Sequence, residues 1–399
     1  METAVFVIGA GVISGIGQNV AACLDALENS KAGIGQINYL RTNHSDLLPA
    51  AEVKSNNREL AAISGFTPAT SRTAMLSMIA AREAWDSSAA DNFPALRRGF
   101  VSASTTGGID KSEDFFVDFL KDTSKGRLSG VINHECDRIT TMVADKLGIR
   151  DHISTISTAC SSSANAIMYG ARLIKHQMLD VVVAGGTDAL TRFTLNGFNT
   201  LLVIDEQYCR PFDENRNGLN LGEGAGYLVL ASERAVSLLN KRPYCALSGY
   251  HNANDAYHQT STSGDGDGPY WAMAGALAMS GLTPADIDYI NLHGTGTKNN
   301  DSSEGAAIKR LFYPHYPKMS STKSFTGHTL GASAGIEAVF SALAAQQGLI
   351  YPNLRLQNPM SAFPFTPETK FSRLQGLKHV LSNSVGFGGN CSSLIFSRL

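Results

Sequence analysis

Short apolar runs rich in β-branched residues alternate with stretches of helical period along the whole chain. The run Ala4–Gly17 reads as a buried strand and a glycine turn, and a helix follows through Leu27. Arg98–Ser104 is a strand. After the Gly107-Gly108 turn comes an amphipathic helix carrying Phe115, Phe116, Phe119 and Leu120. His152–Ile156 is a strand that runs into Cys160 and a helix to about His176. The runs after Asp180 and from Gly224 to Ser232 complete the first set of strands.

Beyond about residue 240 the order recurs. Tyr244–Tyr250 is a strand, Tyr270–Met279 a helix, Ile287–Leu292 a strand and Ser303–Phe312 a helix. A Gly/Ala-rich helix lies within Thr326–Gln347, and Val380–Val385 and Ser392–Ser397 are closing strands. Apolar strands alternating with helices predict an α/β fold with a mainly parallel sheet covered on both faces. The recurrence predicts two related layered halves, residues 1–240 and 241–399.

Composition sharpens this picture. At 17% charged residues the chain is less polar than the typical ~25%, which points to extensive burial and a buried face shared with another subunit. A net charge of −2 without a strongly basic run excludes nucleic-acid binding. The start, Met1–Ile8, lacks the basic flank and long apolar core of a signal peptide, and no segment reaches the ~18 apolar residues of a membrane span. Six scattered cysteines without a C-x-x-C pair match neither a disulfide framework nor a zinc site. A cytoplasmic location is expected.

Two glycine-rich segments invite ligand readings that fail. After Gly9 and Gly11 the third fingerprint position is Ser14, and no acid ends a strand ~20 residues on, so dinucleotide binding is not expected. Gln259–Gly268 lacks the distal acid of a calcium loop and reads as a solvated loop before a helix.

The candidate chemistry centres on Cys160. It stands at a strand end, ahead of a small-residue helix start whose unpaired N–H groups and dipole favour a thiolate, with a pKa below the free value of about 8.5. Cys23, Cys136, Cys209, Cys245 and Cys391 lack this placement and read as structural. His293 follows a strand and opens a Gly-Thr-Gly-Thr loop, while His328 lies between Gly327 and Thr329 ahead of a helix. Lys323 stands five residues before His328, with Glu337 as its neutralising partner. Gly386–Gly389 is a strand-end glycine turn able to aim backbone N–H groups at a developing oxyanion. A cysteine with two glycine-flanked histidines and a lysine is the equipment of thiolate acyl transfer.

The segments Ser157–Ser161, Val183–Asp188, Arg210–Asp213, Leu221–Gly226, His293–Thr297, Lys323–His328 and Gly386–Gly389 together resemble the β-ketoacyl-acyl-carrier-protein synthases of the Cys-His-His branch. The resemblance implies a thiolase-like αβαβα fold, normally dimeric. It implies that Cys160 takes an acyl chain from a carrier thioester and that His293 and His328 support decarboxylation of malonyl-carrier protein. Lys323 and Glu337 then organise the site, and the N–H groups of Cys160 and Phe387 form the oxyanion hole. Phe387 resembles the gate residue, with Gly388 supporting the turn. Thr295 and Thr297 fall at substrate-binding positions, and Thr106 at one that restricts the acyl pocket. Arg72, Lys125 and Arg127 fall near carrier-docking positions, where ordinary surface charge is the competing reading. No metal or redox cofactor is implied.

The sequence departs from the family pattern at Lys298, where proline is usual, and at Asn390-Cys391, where Thr-Asn is usual. These departures point to a specialised polyketide or aryl-polyene synthase, working as a homodimer or beside a homologous chain-length factor. The rival readings are a thiolase, a coenzyme-A-dependent condensing enzyme and a non-catalytic chain-length-factor subunit. Lys323 and the Gly-His328 pair oppose the first two, and retention of Cys160, His293, Lys323 and His328 opposes the last.

Overall fold

A computed structural model describes residues 4–93 and 95–399. Met1–Thr3, the first residues of the segment read for a targeting signal, lie outside the described residues. The described strands are β1 (Val5–Ser14), β2 (Arg98–Ala103), β3 (His152–Ile156), β4 (Val181–Asp188), β5 (Gly224–Ser232), β6 (Cys245–Asn254), β7 (Tyr289–Asn291), β8 (Lys318–Ser320), β9 (Leu349–Ile350), β10 (Ser372–Arg373), β11 (His379–Val385) and β12 (Asn390–Ser397). Ten of them form one sheet in the order β3-β2-β4-β5-β1-β6-β12-β11-β7-β8, and β9 and β10 pair separately. Within each set of five the chain visits positions in the same order: β3-β2-β4-β5-β1 on one side is mirrored by β8-β7-β11-β12-β6 on the other.

The sheet is mixed, not mainly parallel. The outer pairs β3·β2, β2·β4, β11·β7 and β7·β8 are parallel. The inner pairs β4·β5, β5·β1, β1·β6, β6·β12 and β12·β11 are antiparallel. A strand buried on both faces is a continuous apolar run in either direction. Composition therefore predicted the strands while leaving their direction open.

Helices Ser162–Lys175 and Ser333–Gln347 share one core with both halves of the sheet, including Leu173, Val182, Leu230, Phe340, Leu394 and Phe396. The second helix is buried from Ser333 to Ala345, so it has no polar face, as a central layer requires. Its backbone meets β5 through paired glycines. A Cβ on Gly335 would lie 2.5 Å from the Gly226 carbonyl, and one on Gly226 would lie 2.4 Å from the Ile336 nitrogen. Helix Arg72–Ser88 covers the outer face of the first half, and helices Asp267–Ser280 and Lys298–Phe312 that of the second. The result is the layered αβαβα architecture of a thiolase-like fold.

The opening turn falls at Gly15-Ile16, where Ser14 and Gly17 exchange backbone hydrogen bonds ahead of helix Val20–Glu28, and not at the earlier glycines. Gly9 and Gly11 lie inside β1, where a Cβ would lie 2.4 and 2.1 Å from the carbonyls of Ala84 and Ala80. They let helix Arg72–Ser88 rest directly on the strand. The amphipathic helix Ile109–Lys121 is present, yet none of its residues is buried. Phe116 and Leu120 are 54% and 69% exposed, and nearby Leu128 and Ile132 are 70% and 67% exposed. No described helix is long and apolar enough to cross a membrane.

Candidate active site

Cys160 sits in the tight passage from β3 to helix Ser162–Lys175. Ala159, just before it, has φ of 54°, a left-handed conformation costing a non-glycine residue about 1–2 kcal/mol. The serine run pins this bend. The Ser162 hydroxyl accepts from Thr158 N–H at 2.8 Å and donates to the Ala159 carbonyl at 2.5 Å, while Ser161 Oγ donates to Asn390 Oδ1 at 2.6 Å. Asn165 and Asn252 donate to the same Asn390 oxygen at 3.0 and 2.9 Å. The unusual Asn390 is therefore a hub behind the nucleophile.

Burial pushes the Cys160 thiol up to about 11, against the charge of Lys323 and the backbone N–H groups of Phe387 and of Cys160 itself, which favour the thiolate. The expected low pKa is thus overturned in the resting enzyme. Cys160 is 5% exposed, so desolvation of an anion opposes the helix end and Lys323 together. Alkylation of Cys160 by iodoacetamide should rise about ten-fold per pH unit from 7 to 9 and show no plateau below pH 10, because only thiolate reacts. A plateau near pH 9, located by peptide mapping, would indicate an ordinary thiol instead.

His293 follows β7, and its loop is anchored by buried Glu304, which accepts from His293 and Gly294 N–H at 2.8 and 2.9 Å. The two histidine rings stand edge to face, with centroids 5.4 Å apart. Burial, then the charge of Lys323, lowers both imidazoles, His328 to about 3, so both are neutral near pH 7. Leu330 N–H donates to His328 Nδ1 at 3.0 Å, and Lys323 Nζ lies 3.2 Å from His293 Nδ1. With Nδ1 accepting, each neutral ring carries its proton on Nε2. Lys323 also forms a buried ion pair with Glu337, whose carboxyl is raised by burial against the pull of Lys323. The lysine thus fixes His293 while its own charge is balanced.

Cys160, His293, His328, Phe387, Thr295 and Thr297 line one cavity of about 350 Å³. The two threonine hydroxyls are 2.9 Å apart. Phe387 is half-buried, and its ring stacks on Phe198 at 5.7 Å. Gly388, with φ of 78°, does not aim at the site; its N–H donates to the Gln259 carbonyl at 2.8 Å. The segment read as a solvated loop is part of the wall, because Thr260, Ser261 and Thr262 line the cavity.

Two candidates land elsewhere. Thr106 is not among the lining residues; its hydroxyl and N–H both donate to Asp188, which also holds Ser104, Thr105 and Gly331. Arg72 is 7% exposed and donates to Glu223 through Nε and one terminal nitrogen. It is a structural residue, and breaking such a buried pair costs about 3–5 kcal/mol. Lys125 and Arg127 are exposed, and Lys125 pairs with Asp122 at 3.5 Å. The sequence reading missed Glu304 and gave Asp188, the end of the segment Val183–Asp188, no role of its own; an acid inside an otherwise apolar or small-residue stretch was the available signal. No cluster of metal-ligating side chains occurs among the described residues.

Residues 2–235 match the N-terminal domain of beta-ketoacyl synthases, and residues 244–357 match the C-terminal domain. The chain belongs to the β-ketoacyl synthase family. This β-ketoacyl synthase is 31% identical to a 3-oxoacyl-[acyl-carrier-protein] synthase 2 of Staphylococcus aureus (strain N315) over 99% of its length and 98% of the relative's. It is 32% identical to the protein of that name from Coxiella burnetii (strain RSA 493 / Nine Mile phase I), with the same coverage. Among solved structures it resembles the ishigamide ketosynthase/chain length factor, with a TM-score of 0.94 and 27% identity over the whole of both chains. It also resembles a ketosynthase (ApeO) in complex with its chain length factor (ApeC) from Xenorhabdus doucetiae. There the TM-score is 0.85 and the identity 28%, over 100% of this chain and 98% of that one. It is therefore a condensing acyltransferase.

Proposed function

We propose that this β-ketoacyl synthase extends a Cys160-bound acyl group by one malonyl-derived unit, with acyl carrier protein delivering both substrates. The observation that carries this reading is one cavity holding a buried cysteine beside two neutral histidines. In the first half-reaction the Cys160 sulfur attacks the thioester carbonyl while the N–H groups of Cys160 and Phe387 hold the oxyanion. The arm leaves as a thiol, taking the proton that Cys160 gives up. In the second, malonyl thioester loses carbon dioxide, and its enolate oxygen accepts hydrogen bonds from Nε2–H of His293 and His328. The enolate carbon attacks the acyl carbonyl, the β-ketoacyl thioester departs on the arm, and Cys160 regains a proton.

The assembly partner in this reading is a second copy or a homologous chain-length factor, which would cover the apolar face around Phe116, Leu120, Leu128 and Ile132. The described cysteines are all free, which accords with a reducing cytoplasm. The departures at Lys298, Asn390 and Cys391 favour a specialised polyketide or aryl-polyene pathway over housekeeping elongation. Intact-mass analysis after incubation with a panel of acyl-carrier proteins tests the assignment. A mass gain mapped to Cys160, chased by malonyl-carrier protein, is expected; no acyl adduct on Cys160 with any of them would refute it.

Phe387 supplies a sharper test. Its ring belongs to none of the buried apolar clusters, and Gly386 and Gly388 flank it. As a gate that orders the two half-reactions, Phe387→Ala should retain Cys160 acylation and lose about ten-fold or more in condensation, with the backbone donor kept. Parallel loss of both steps with a melting temperature many degrees lower would make the ring a packing residue.

A further inference from the structure

The two backbone donors of the proposed oxyanion hole come from opposite halves of the chain, Cys160 just beyond β3 and Phe387 in the turn between β11 and β12. The two segments touch. A Cβ on Gly386 would lie 3.2 Å from the Thr158 carbonyl and 3.3 Å from the Cys160 nitrogen. Contact alone does not aim an N–H group. Asn390 ties both segments at once. Its carbonyl accepts from Gly386 N–H at 2.9 Å, which closes the turn that carries Phe387. Its Oδ1 accepts from Ser161 Oγ at 2.6 Å and Asn165 Nδ2 at 3.0 Å, which lie next to Cys160 and in the first turn of the helix behind it. The same oxygen accepts from Asn252 Nδ2 on β6 at 2.9 Å. The orientation of this amide is set by its neighbours. Asn252 Nδ2 also lies 3.2 Å from the Cys391 carbonyl, which only accepts, so the Asn390 atom facing that nitrogen is the oxygen.

Resting on the acyl-transfer reading above, we propose that Asn390 is a positioning residue that holds the Phe387 N–H and the Cys160 N–H in register, so that both meet the same thioester oxygen. Stabilisation by such donors depends on their aim, and a misplacement of about 1 Å can slow a reaction about 10²-fold. Attack on an acyl carbonyl at Cys160 uses this pair in both half-reactions. Loss of carbon dioxide from the malonyl group does not, because His293 and His328 serve that oxyanion. Asparagine is longer than the threonine usual at this position. The added reach lets one oxygen meet donors on Ser161, Asn165 and Asn252.

The test is Asn390→Ala, read on two separate steps. Acylation of Cys160 is followed by intact mass over a range of concentrations of the acyl-carrier protein that loads the wild type fastest. Its maximal rate should fall about ten-fold or more while the half-saturating concentration stays that of the wild type, since the donors act on the transition state. Decarboxylation of malonyl-carrier protein is measured with Cys160→Ala as parent, so that no acylation intervenes, and should not slow when Asn390→Ala is added. A wild-type acylation rate in Asn390→Ala would overturn the proposal. Equal slowing of acylation and decarboxylation would also overturn it, because that is the mark of a packing residue. If calorimetry shows that Asn390→Ala does not fold, Asn390→Thr takes its place. Its hydroxyl is too short to span the three donors, so the same split between the steps is expected, and wild-type acylation or parallel loss is again the refuting result. Acylation of wild-type Cys160 checks the functional reading by itself, so the two can fail independently.

Discussion

Cys160→Ala is expected to form no acyl adduct and to lose condensation by about 10⁴-fold or more, because no other thiol lines the cavity among the described residues. Cys209 and Cys391 are 1% exposed, and neither lines the cavity. The fold should survive. Alanine removes one sulfur from a bend whose hydrogen bonds come from Ser161, Ser162 and backbone groups. The same variant separates the two half-reactions. Enolate formation needs His293 and His328 but no thiol, so Cys160→Ala should still release carbon dioxide from malonyl-carrier protein. Acyl adduct on the variant in an intact-mass spectrum would show that the nucleophile lies elsewhere. Loss of decarboxylation with an unchanged melting temperature would show that the thiol takes part in the second step.

The limits of the sequence reading have physical causes. Cys160, His293, Lys323 and His328 could be found because each stands beside small or glycine residues at a strand or helix end, where the chain exposes chemistry. Strand direction could not be found, since β4 and β5 are equally apolar and pair antiparallel. The turn among the early glycines was legible, but the use of Gly9 and Gly11 for helix contact was not, because it depends on a helix more than 60 residues later. Arg72 looked like a surface charge until Glu223, far along the chain, was placed beside it. The Cys160 thiol was misjudged for a similar reason. A helix end is visible in sequence, but the depth at which it is buried is a property of the packed layers.

The histidines carry the other large effect. Replacing either His293 or His328 with alanine should reduce condensation about 10²–10³-fold, the usual cost of one lost oxyanion donor. Acylation of Cys160 should fall far less, because in the proposed mechanism its oxyanion is held by backbone N–H groups that these substitutions leave in place. The two variants should also differ from Lys323→Ala. Lys323 sets the His293 tautomer and contributes to the thiolate, so its loss should slow both half-reactions. It also strands Glu337, whose ammonium partner disappears inside the core, and a buried carboxylate without a counter-ion is costly. Lys323→Met should therefore lower the melting temperature, whereas Lys323→Met with Glu337→Gln should recover stability without recovering condensation. Single-turnover acylation, malonyl decarboxylation and calorimetry on this set distinguish the roles. If His293→Ala and His328→Ala slow acylation as much as decarboxylation, the imidazoles serve the thiol and the enolate assignment fails. If the double variant regains condensation with its stability, Lys323 is a structural cation and His293 keeps its tautomer without it.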